Sequence, residues 1–259
     1  MAFLEIEGLR THYEMAGRSS LPALLFSNCL GADLSIWEPQ LPALIAEFRV
    51  VRYDTLGHGQ SAVPRGPYTI EKLGRQALAL LDGLGIERAS YCGISMGGLI
   101  GQWLALHAPD RLQKLILVDT AARIGNLEGW NTRIEDVLKD GITPIIPGAL
   151  QRWFTSDFHS ANPEIIAATK AMLEAVSREG YTNCCVAIRD TDFRSDIHLI
   201  GIPTLVITGQ HDPVTPPEDG RYLAENIAGA KYIELPAAHL SNVEAASDFN
   251  SALFVFLKH

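Results

Sequence analysis

Six short runs of β-forming residues alternate with longer stretches of helical pattern along this chain. The runs are residues 23–27, 50–53, 89–93, 114–118, 204–209 and 231–235. Strands separated by helical segments predict a mostly parallel sheet covered by helices, because parallel neighbours need a crossover connection. The alternation therefore predicts the α/β fold class.

The segments before, between and after these runs also show patterns that predict secondary structure. Residues 2–16 interleave polar and apolar side chains, which predicts an antiparallel hairpin at the edge of the sheet. Residues 70–84 place apolar side chains at helical spacing after Thr69, a residue type that caps helices. This segment predicts a helix that packs on the sheet, and residues 246–257 predict a final helix.

After Thr120 the alternation stops. The following segment is helical in pattern and rich in Trp and Arg, and the strand pattern resumes only at Thr204. Two prolines and two glycines in residues 141–148 predict a turn between helices. We interpret the whole segment as a helical cap inserted into one α/β core. The predicted division is 1–120 for the first part of the core, 121–198 for the cap and 199–259 for the second part of the core.

The charge balance limits the partners of the chain. With 30 acidic and 21 basic residues, the net charge is -9, which repels nucleic-acid phosphates and anionic lipids. Glu5 and Glu7 lie where a signal peptide needs basic and apolar residues, and the four cysteines have no C-x-x-C spacing. We therefore expect a cytoplasmic protein with reduced cysteines that binds neither nucleic acid nor membranes.

The strongest chemical signal is the sequence Gly-Ile-Ser-Met-Gly at residues 93–97, between a predicted strand and a helical pattern. In that context G-x-S-x-G is typical of a nucleophile elbow, a tight turn that presents a serine at the carboxyl edge of a sheet. Glycines are needed beside the serine because the backbone folds back on itself there. The pattern predicts Ser95 as a nucleophile and the Met96 amide as an oxyanion donor.

A serine hydroxyl needs a base, and the base needs an acid that orients it. Asp212 follows the predicted strand 204–209, and His239 follows the predicted strand 231–235. Taken singly, Asp212 could belong to a turn and His239 could be a core histidine. The order Ser, Asp, His, with each residue at the end of a strand, favours a catalytic triad. His211 is the nearest competitor, and we expect it to be solvated or to support the acid.

A second oxyanion donor should lie after residues 23–27, where many serine hydrolases carry His-Gly followed by the donor. Here the sequence is Ser-Asn-Cys-Leu-Gly, which aligns Asn28 with the histidine, Cys29 with the glycine and Leu30 with the donor. We expect Cys29 to be a neighbour of the site and not a nucleophile, and we expect His58, in a glycine-rich turn, to be structural. No spacing typical of a metal site or a phosphate-binding loop occurs, so we predict chemistry without a metal or a cofactor.

The chain resembles the 3-oxoadipate enol-lactonases of the α/β-hydrolase superfamily over nearly its whole length. The elbow and the triad are common to the superfamily. More specific are Asn28, the run His-Asp-Pro-Val-Thr-Pro-Pro from His211 and the run His-Leu-Ser-Asn-Val-Glu from His239. Further similarity lies in residues 25–37, 52–61, 91–103 and 180–190.

The resemblance implies an α/β-hydrolase fold and hydrolysis of 3-oxoadipate enol-lactone through an acyl-enzyme on Ser95, in the β-ketoadipate pathway. The free carboxylate of this small enol-lactone needs a cation in an apolar pocket, and arginine can bind it with two hydrogen bonds. The predicted cap offers Arg133, near Trp130, and Arg152, beside Trp153. We favour Arg133 for the carboxylate and the two tryptophans for the pocket wall. The alternatives to these roles are that the arginines only solvate an exposed helix face and that the tryptophans pack in the core.

Other functions would use the same triad. Ser95 excludes enzymes of this fold that use an aspartate nucleophile, but a carboxylesterase, a carbon–carbon bond hydrolase or a perhydrolase would keep all three residues. A non-catalytic ligand receptor is a further alternative, since a fold does not determine a function.

Overall fold

The structure is a computed structural model that describes residues 2–259. Eight strands form one sheet. In chain order the strands are β1 (Ala2–Ile6), β2 (Leu9–Ala16), β3 (Ala23–Ser27), β4 (Arg49–Tyr53), β5 (Ala89–Ile94), β6 (Leu112–Val118), β7 (Thr204–Gly209) and β8 (Lys231–Leu235). All six strands predicted from the sequence are present, and β3, β7 and β8 have the predicted bounds.

The order of strands across the sheet is β1-β2-β4-β3-β5-β6-β7-β8. β1 and β2 pair antiparallel at one edge, which confirms the predicted hairpin, and β2 also pairs antiparallel with β4. All other neighbours are parallel. Because β3, β5 and β7 are buried along their whole length, the centre of the sheet is covered on both faces. The carboxyl ends of the parallel strands meet at one edge, where the loops can build a site.

Helices connect the strands. In chain order they are α1 (Leu41–Leu44), α2 (Ile70–Gly83), α3 (Met96–His107), α4 (Leu127–Asp140), α5 (Ile146–Trp153), α6 (Ser156–Ala161), α7 (Pro163–Glu174), α8 (Arg178–Arg189), α9 (Pro217–Asn226), α10 (Ser241–Glu244) and α11 (Ala246–Lys258). Short 3-10 helices occupy Leu34–Gln40, Pro109–Arg111, Thr143–Ile145 and Ile197–Leu199. Within residues 2–259, none of these helices is long and apolar enough to cross a bilayer.

α2 shows how the local sequence sets the ends of an element. Thr69 is extended, and its side chain accepts a hydrogen bond from the Lys72 amide, which satisfies one of the free amides at the helix start. The apolar face of the helix is buried against the sheet and α3. Gly85, just beyond the helix, has a φ of +65° and turns the chain away. The predicted helix is confirmed, with Gly83 as its last residue.

Between β6 and β7 the chain forms α4 to α8. The turn predicted at residues 141–148 is wrong in its second half, because α5 begins at Ile146 and contains Pro147 and Gly148. Proline is tolerated in the first turn of a helix, where its missing N–H would have had no partner. The prolines in this segment therefore mark the start of a helix.

α8 packs directly on the loop that follows β4. A β-carbon at Gly180 would lie 2.2 Å from the Gly57 carbonyl oxygen, and one at Gly57 would lie 2.6 Å from the Gly180 Cα. Gly57 also has a φ of +85°, which glycine adopts without strain. Two backbones therefore touch at this point, and the contact sets the position of α8 relative to the sheet.

Replacing Gly180 by Ala should destabilise the fold, because the added methyl group overlaps backbone atoms that no side-chain rotation can move away. We expect the free energy of unfolding to fall by about 1–3 kcal/mol, measured by denaturant unfolding followed by circular dichroism. Gly201→Ala is the matched control, since no atom beyond its chain neighbours lies within 4 Å of the added carbon. Equal stability of Gly180→Ala and the unchanged chain would contradict the close contact.

Candidate active site

Ser95 lies in the sharp turn between β5 and α3. Its backbone is in a strained conformation, with φ 55° and ψ -112°. A β-carbon at Gly93 would lie 2.1 Å from the Gly97 carbonyl oxygen, and one at Gly97 would lie 2.4 Å from the Ser27 carbonyl oxygen. Only glycine fits at either position, so the G-x-S-x-G sequence permits this turn. The turn places Ser95 at the carboxyl end of β5.

Asp212 and His239 lie in the loops after β7 and β8, and their side chains are joined. The distance from Asp212 Oδ2 to His239 Nδ1 is 2.7 Å. Asp212 also accepts hydrogen bonds from the Val214 amide and the Thr215 hydroxyl, each at 2.7 Å. Both members of the pair are buried. The bond at Nδ1 leaves Nε2 as the ring nitrogen that can accept a proton.

The protonated form of His239 is stabilised in spite of its burial. Desolvation of the buried ring lowers its pKa, but the charge and hydrogen bond of Asp212 and the charge of Asp119 outweigh it. Arg152 opposes these carboxylates with its positive charge. The net effect is a pKa of His239 above its ordinary value of 6.5.

Ser95 and His239 line one cavity, with a volume of about 270 Å³. Its lining comes from the loops after β3, β5, β6, β7 and β8 and from helices α4, α5, α7 and α8. The apolar part of the lining includes Ile124, Ala149, Leu173, Ile188 and Val214. Among the residues that line the cavity are two arginines and no aspartate or glutamate.

All the side chains that the sequence suggested for substrate binding line this cavity: Trp130, Arg133, Arg152 and Trp153. The indole N–H of Trp130 donates to a backbone carbonyl at 2.7 Å, and the Arg133 guanidinium lies 5.6 Å from the ring centroid of Trp130. Arg133 also donates to the Tyr181 hydroxyl at 3.4 Å. The sequence favoured Arg133 alone, whereas the structure brings Arg152 into the same cavity.

Neither Arg133 nor Arg152 forms an ion pair with any carboxylate of residues 2–259. The pKa of Arg152 is lowered, first by burial and then by the charge of Arg133, with Tyr181 opposing. Two neighbouring cations without a counter-ion repel each other, and an anion placed between them removes that repulsion. The arrangement favours a ligand that carries a carboxylate.

The two residues predicted as oxyanion donors are Met96, the next residue after Ser95, and Leu30, which lines the same cavity as Ser95. Met96 is the first residue of α3, so its amide has no partner within the helix. Leu30 lies in the loop after β3 and lines the cavity. This loop is attached to the elbow by a hydrogen bond from the Gly97 amide to the Asn28 carbonyl, at 3.1 Å.

Two buried side chains support the loop after β3. Asn28 donates to the Tyr53 carbonyl and accepts from the Trp37 indole, both at 2.9 Å. His58 Nε2 accepts from the Gly31 amide at 2.8 Å. Burial lowers the pKa of His58 to about 4, so its ring is neutral and can act as an acceptor. His58 is therefore structural, as the sequence suggested.

The structure also shows where the other candidate reactive residues, Cys29 and His211, lie. Cys29 lines the cavity, but burial raises the pKa of its thiol well above the ordinary value, so a thiolate does not form near neutral pH. His211 is exposed and lies outside the cavity lining. Ser95 and His239 therefore remain the predicted nucleophile and base, and both line the cavity.

The sequence reasoning missed Asp119, which follows β6 and is fully buried. Its carboxylate accepts hydrogen bonds from the Gly209 amide at 2.7 Å and from the Ser241 amide at 3.0 Å. Burial and then the charge of Asp212 raise the pKa of Asp119 to about 7. The signal that could find it is its place at the carboxyl end of a parallel strand, the same signal that selects Asp212.

Known proteins resemble this chain in both sequence and structure. The chain matches the model of the alpha/beta hydrolase fold family over residues 22–246. It is 44% identical to 3-oxoadipate enol-lactonase 2 of Acinetobacter baylyi, over 98% of this chain and 96% of that protein. It is 38% identical to 3-oxoadipate enol-lactonase 1 of the same organism, over 97% and 94% of the two chains.

Among solved structures, the enol-lactonase from Burkholderia xenovorans LB400 matches with a TM-score of 0.98 and 43% identity, and all of both chains is covered. Similarity of this extent includes the loops at the carboxyl edge of the sheet as well as the helices between β6 and β7. The chain therefore belongs to the α/β hydrolase fold family and, within it, to the group of the 3-oxoadipate enol-lactonases.

Proposed function

We propose that this chain hydrolyses 3-oxoadipate enol-lactone to 3-oxoadipate, a step of the β-ketoadipate pathway of aromatic catabolism. The observation that carries the proposal is a serine at a nucleophile elbow that opens into a cavity with two arginines and no carboxylate. A small lactone with one free carboxylate matches both features. The relatives from Acinetobacter baylyi are named for this lactone, which supports the same substrate.

The reaction begins when Ser95 Oγ attacks the lactone carbonyl carbon. His239 Nε2 takes the hydroxyl proton, while Asp212 holds the ring through Nδ1 and stabilises the imidazolium. Negative charge develops on the carbonyl oxygen. The amides of Leu30 and Met96 stabilise this charge, together with the positive amino end of α3.

The tetrahedral intermediate then collapses, and the ring C–O bond breaks. The oxygen that leaves belongs to an enol, which is a better leaving group than an alkoxide. The proton held by His239 passes to it, and the enol becomes a ketone. His239 next takes a proton from a water molecule that attacks the acyl carbon. As the second tetrahedral intermediate collapses, His239 returns this proton to Ser95 Oγ, and the new carboxyl group of the product leaves and ionises to the second carboxylate.

Arg133 and Arg152 bind the free carboxylate of the lactone in this proposal. Arginine forms paired, charge-assisted hydrogen bonds with a carboxylate, and an anion between two guanidinium groups offsets their repulsion. Trp130 and Trp153 provide flat apolar surface for the ring. The carboxylate thus determines which lactone binds, and the triad opens it.

The division of the chain follows from the same proposal. Residues 121–198 act as a cap, because they supply the arginines and tryptophans of the cavity, and residues 1–120 and 199–259 form the catalytic core. We also propose a cytoplasmic location. The four cysteines are free and buried, as is usual in a reducing compartment.

Ring opening of 3-oxoadipate enol-lactone, followed by the loss of ultraviolet absorbance, tests the proposal. We expect a kcat/KM of about 10⁴–10⁸ M⁻¹s⁻¹, as for committed enzymes, and a much lower value for a short neutral aryl ester. Ser95→Ala should lower kcat by at least ~10⁴-fold without loss of the fold, whereas Ser251→Ala, an exposed serine on α11, should have no effect. A higher kcat/KM for the ester would identify an esterase and overturn the lactonase proposal.

Replacing Arg133 or Arg152 by Ala should raise KM for the lactone by roughly 10- to 100-fold, because each change removes a charged hydrogen-bond donor. Turnover of the neutral ester should stay within about three-fold, since that substrate has no carboxylate to lose. Arg178→Ala, at the exposed start of α8, is the matched control and should leave both substrates unaffected. Equal losses with lactone and ester would exclude a carboxylate-binding role.

The pH dependence should follow His239. Only the neutral ring accepts a proton from Ser95, so activity is lost as pH falls through the pKa of His239. Because the carboxylates around it raise that pKa, the acid limb of kcat/KM with the neutral ester should have its midpoint above 6.5. A stopped-flow or steady-state pH profile measures it, and a midpoint below 6.5 would be evidence against the proposed environment of the base.

A further inference from the structure

Asp119 connects the two loops that carry the proposed acid and base. Its Oδ1 accepts a hydrogen bond from the Gly209 amide at 2.7 Å, just before the loop of Asp212. Its Oδ2 accepts one from the Ser241 amide at 3.0 Å, just after His239. A single carboxylate at the end of β6 therefore holds both loops at their bases.

This position is unfavourable for an aspartate unless something compensates for it. The side chain is 0% exposed, and its φ of 42° lies in the left-handed region, which aspartate and asparagine adopt more readily than most other non-glycine residues. Burial and the nearby Asp212 charge disfavour ionisation, while His239 and the Ser241 amide favour it. A fully buried carboxyl group is costly, and the two backbone amides that it accepts from, together with the nearby His239, offset that cost.

We propose that Asp119 is a positioning residue of the hydrolytic site. It sets the relative positions of Asp212 and His239, and in its ionised form it adds a second negative charge that stabilises the imidazolium formed during each proton transfer. The inference rests on the serine hydrolase part of the proposed function and is independent of which ester or lactone is the substrate.

The charges that act on the base come from all sides of the site. The titratable groups that face Asp119 or His239 are Asp212 from the loop after β7, Arg152 from α5, Cys92 from β5 and Cys29 from the loop after β3. Burial keeps both thiols protonated, because it raises their pKa values. The carboxylates of Asp119 and Asp212 thus favour the imidazolium and Arg152 disfavours it, so removal of the Asp119 charge must lower the pKa of His239.

Asp119→Asn removes the charge and keeps one acceptor, and asparagine tolerates a positive φ. With the neutral ester, the midpoint of the acid limb should move down by at least ~0.5 pH unit, and kcat on the plateau should fall by roughly 3- to 30-fold. Asp119→Gly tolerates the positive φ but removes both hydrogen bonds. It should lower kcat by at least ~100-fold, because the loops lose their shared support.

The pKa of His239 can also be read without turnover, by ¹⁵N-histidine NMR titration of Ser95→Ala with and without Asp119→Asn. Asp82→Asn, the same change at an exposed carboxylate paired with Arg111, is the control and should leave the profile unchanged. If Asp119→Asn does not fold, the same titration of His239 with Asp119→Gly in the Ser95→Ala background shows whether loss of the Asp119 carboxylate lowers the pKa of His239.

An unchanged pKa of His239 and an unchanged acid limb would overturn the inference, even if the variant melts at a lower temperature, since a purely structural role predicts that result. A lowered pKa together with no turnover of 3-oxoadipate enol-lactone by the unaltered chain would support Asp119 and overturn only the proposed substrate.

Discussion

The close backbone approach at the nucleophile elbow is the contact on which the site depends. Gly97 lies against the Ser27 carbonyl, where no side chain would fit, and the Gly97 amide bonds to the Asn28 carbonyl. The turn that strains Ser95 is therefore attached to the loop that contains Leu30. Because one contact sets both, the proposed nucleophile and the proposed oxyanion donors keep their relative positions without help from the ligand.

A comparable attachment links the helices between β6 and β7 to the loop of the proposed base. The Leu240 amide donates to the Trp153 carbonyl at 3.0 Å. Glu244 accepts from the Thr155 amide at 3.2 Å and from the Ala238 amide at 3.0 Å. The end of α5, which carries one of the two cavity arginines, is thus held against the residues that flank the base. In the proposed mechanism, binding of the carboxylate and proton transfer therefore take place on parts that are directly hydrogen-bonded to each other.

The features that could be predicted from the sequence are those that residues close by along the chain determine. The elbow, Asp212 and His239 each follow a strand directly, so pattern and order sufficed to select them. The amides that bind Asp119 come from distant segments, beyond the reach of any local pattern. Arg152 lies in the cavity because α5 packs with that face towards it, and neither spacing nor composition determines how one helix is rotated against another.

The opposing charges around His239 have a consequence for the bound state. Arg152 lowers the pKa of His239, while Asp212 and Asp119 raise it. In the proposed complex, a substrate carboxylate bound to Arg152 would offset that positive charge, and the ring would then be a stronger base when the cavity is filled than when it is empty. A neutral ester does not offset the charge of Arg152, so its binding gives no such increase in the basicity of His239. In the proposed mechanism, the carboxylate therefore contributes to the proton transfer as well as to binding, although it takes no part in the bonds that break and form.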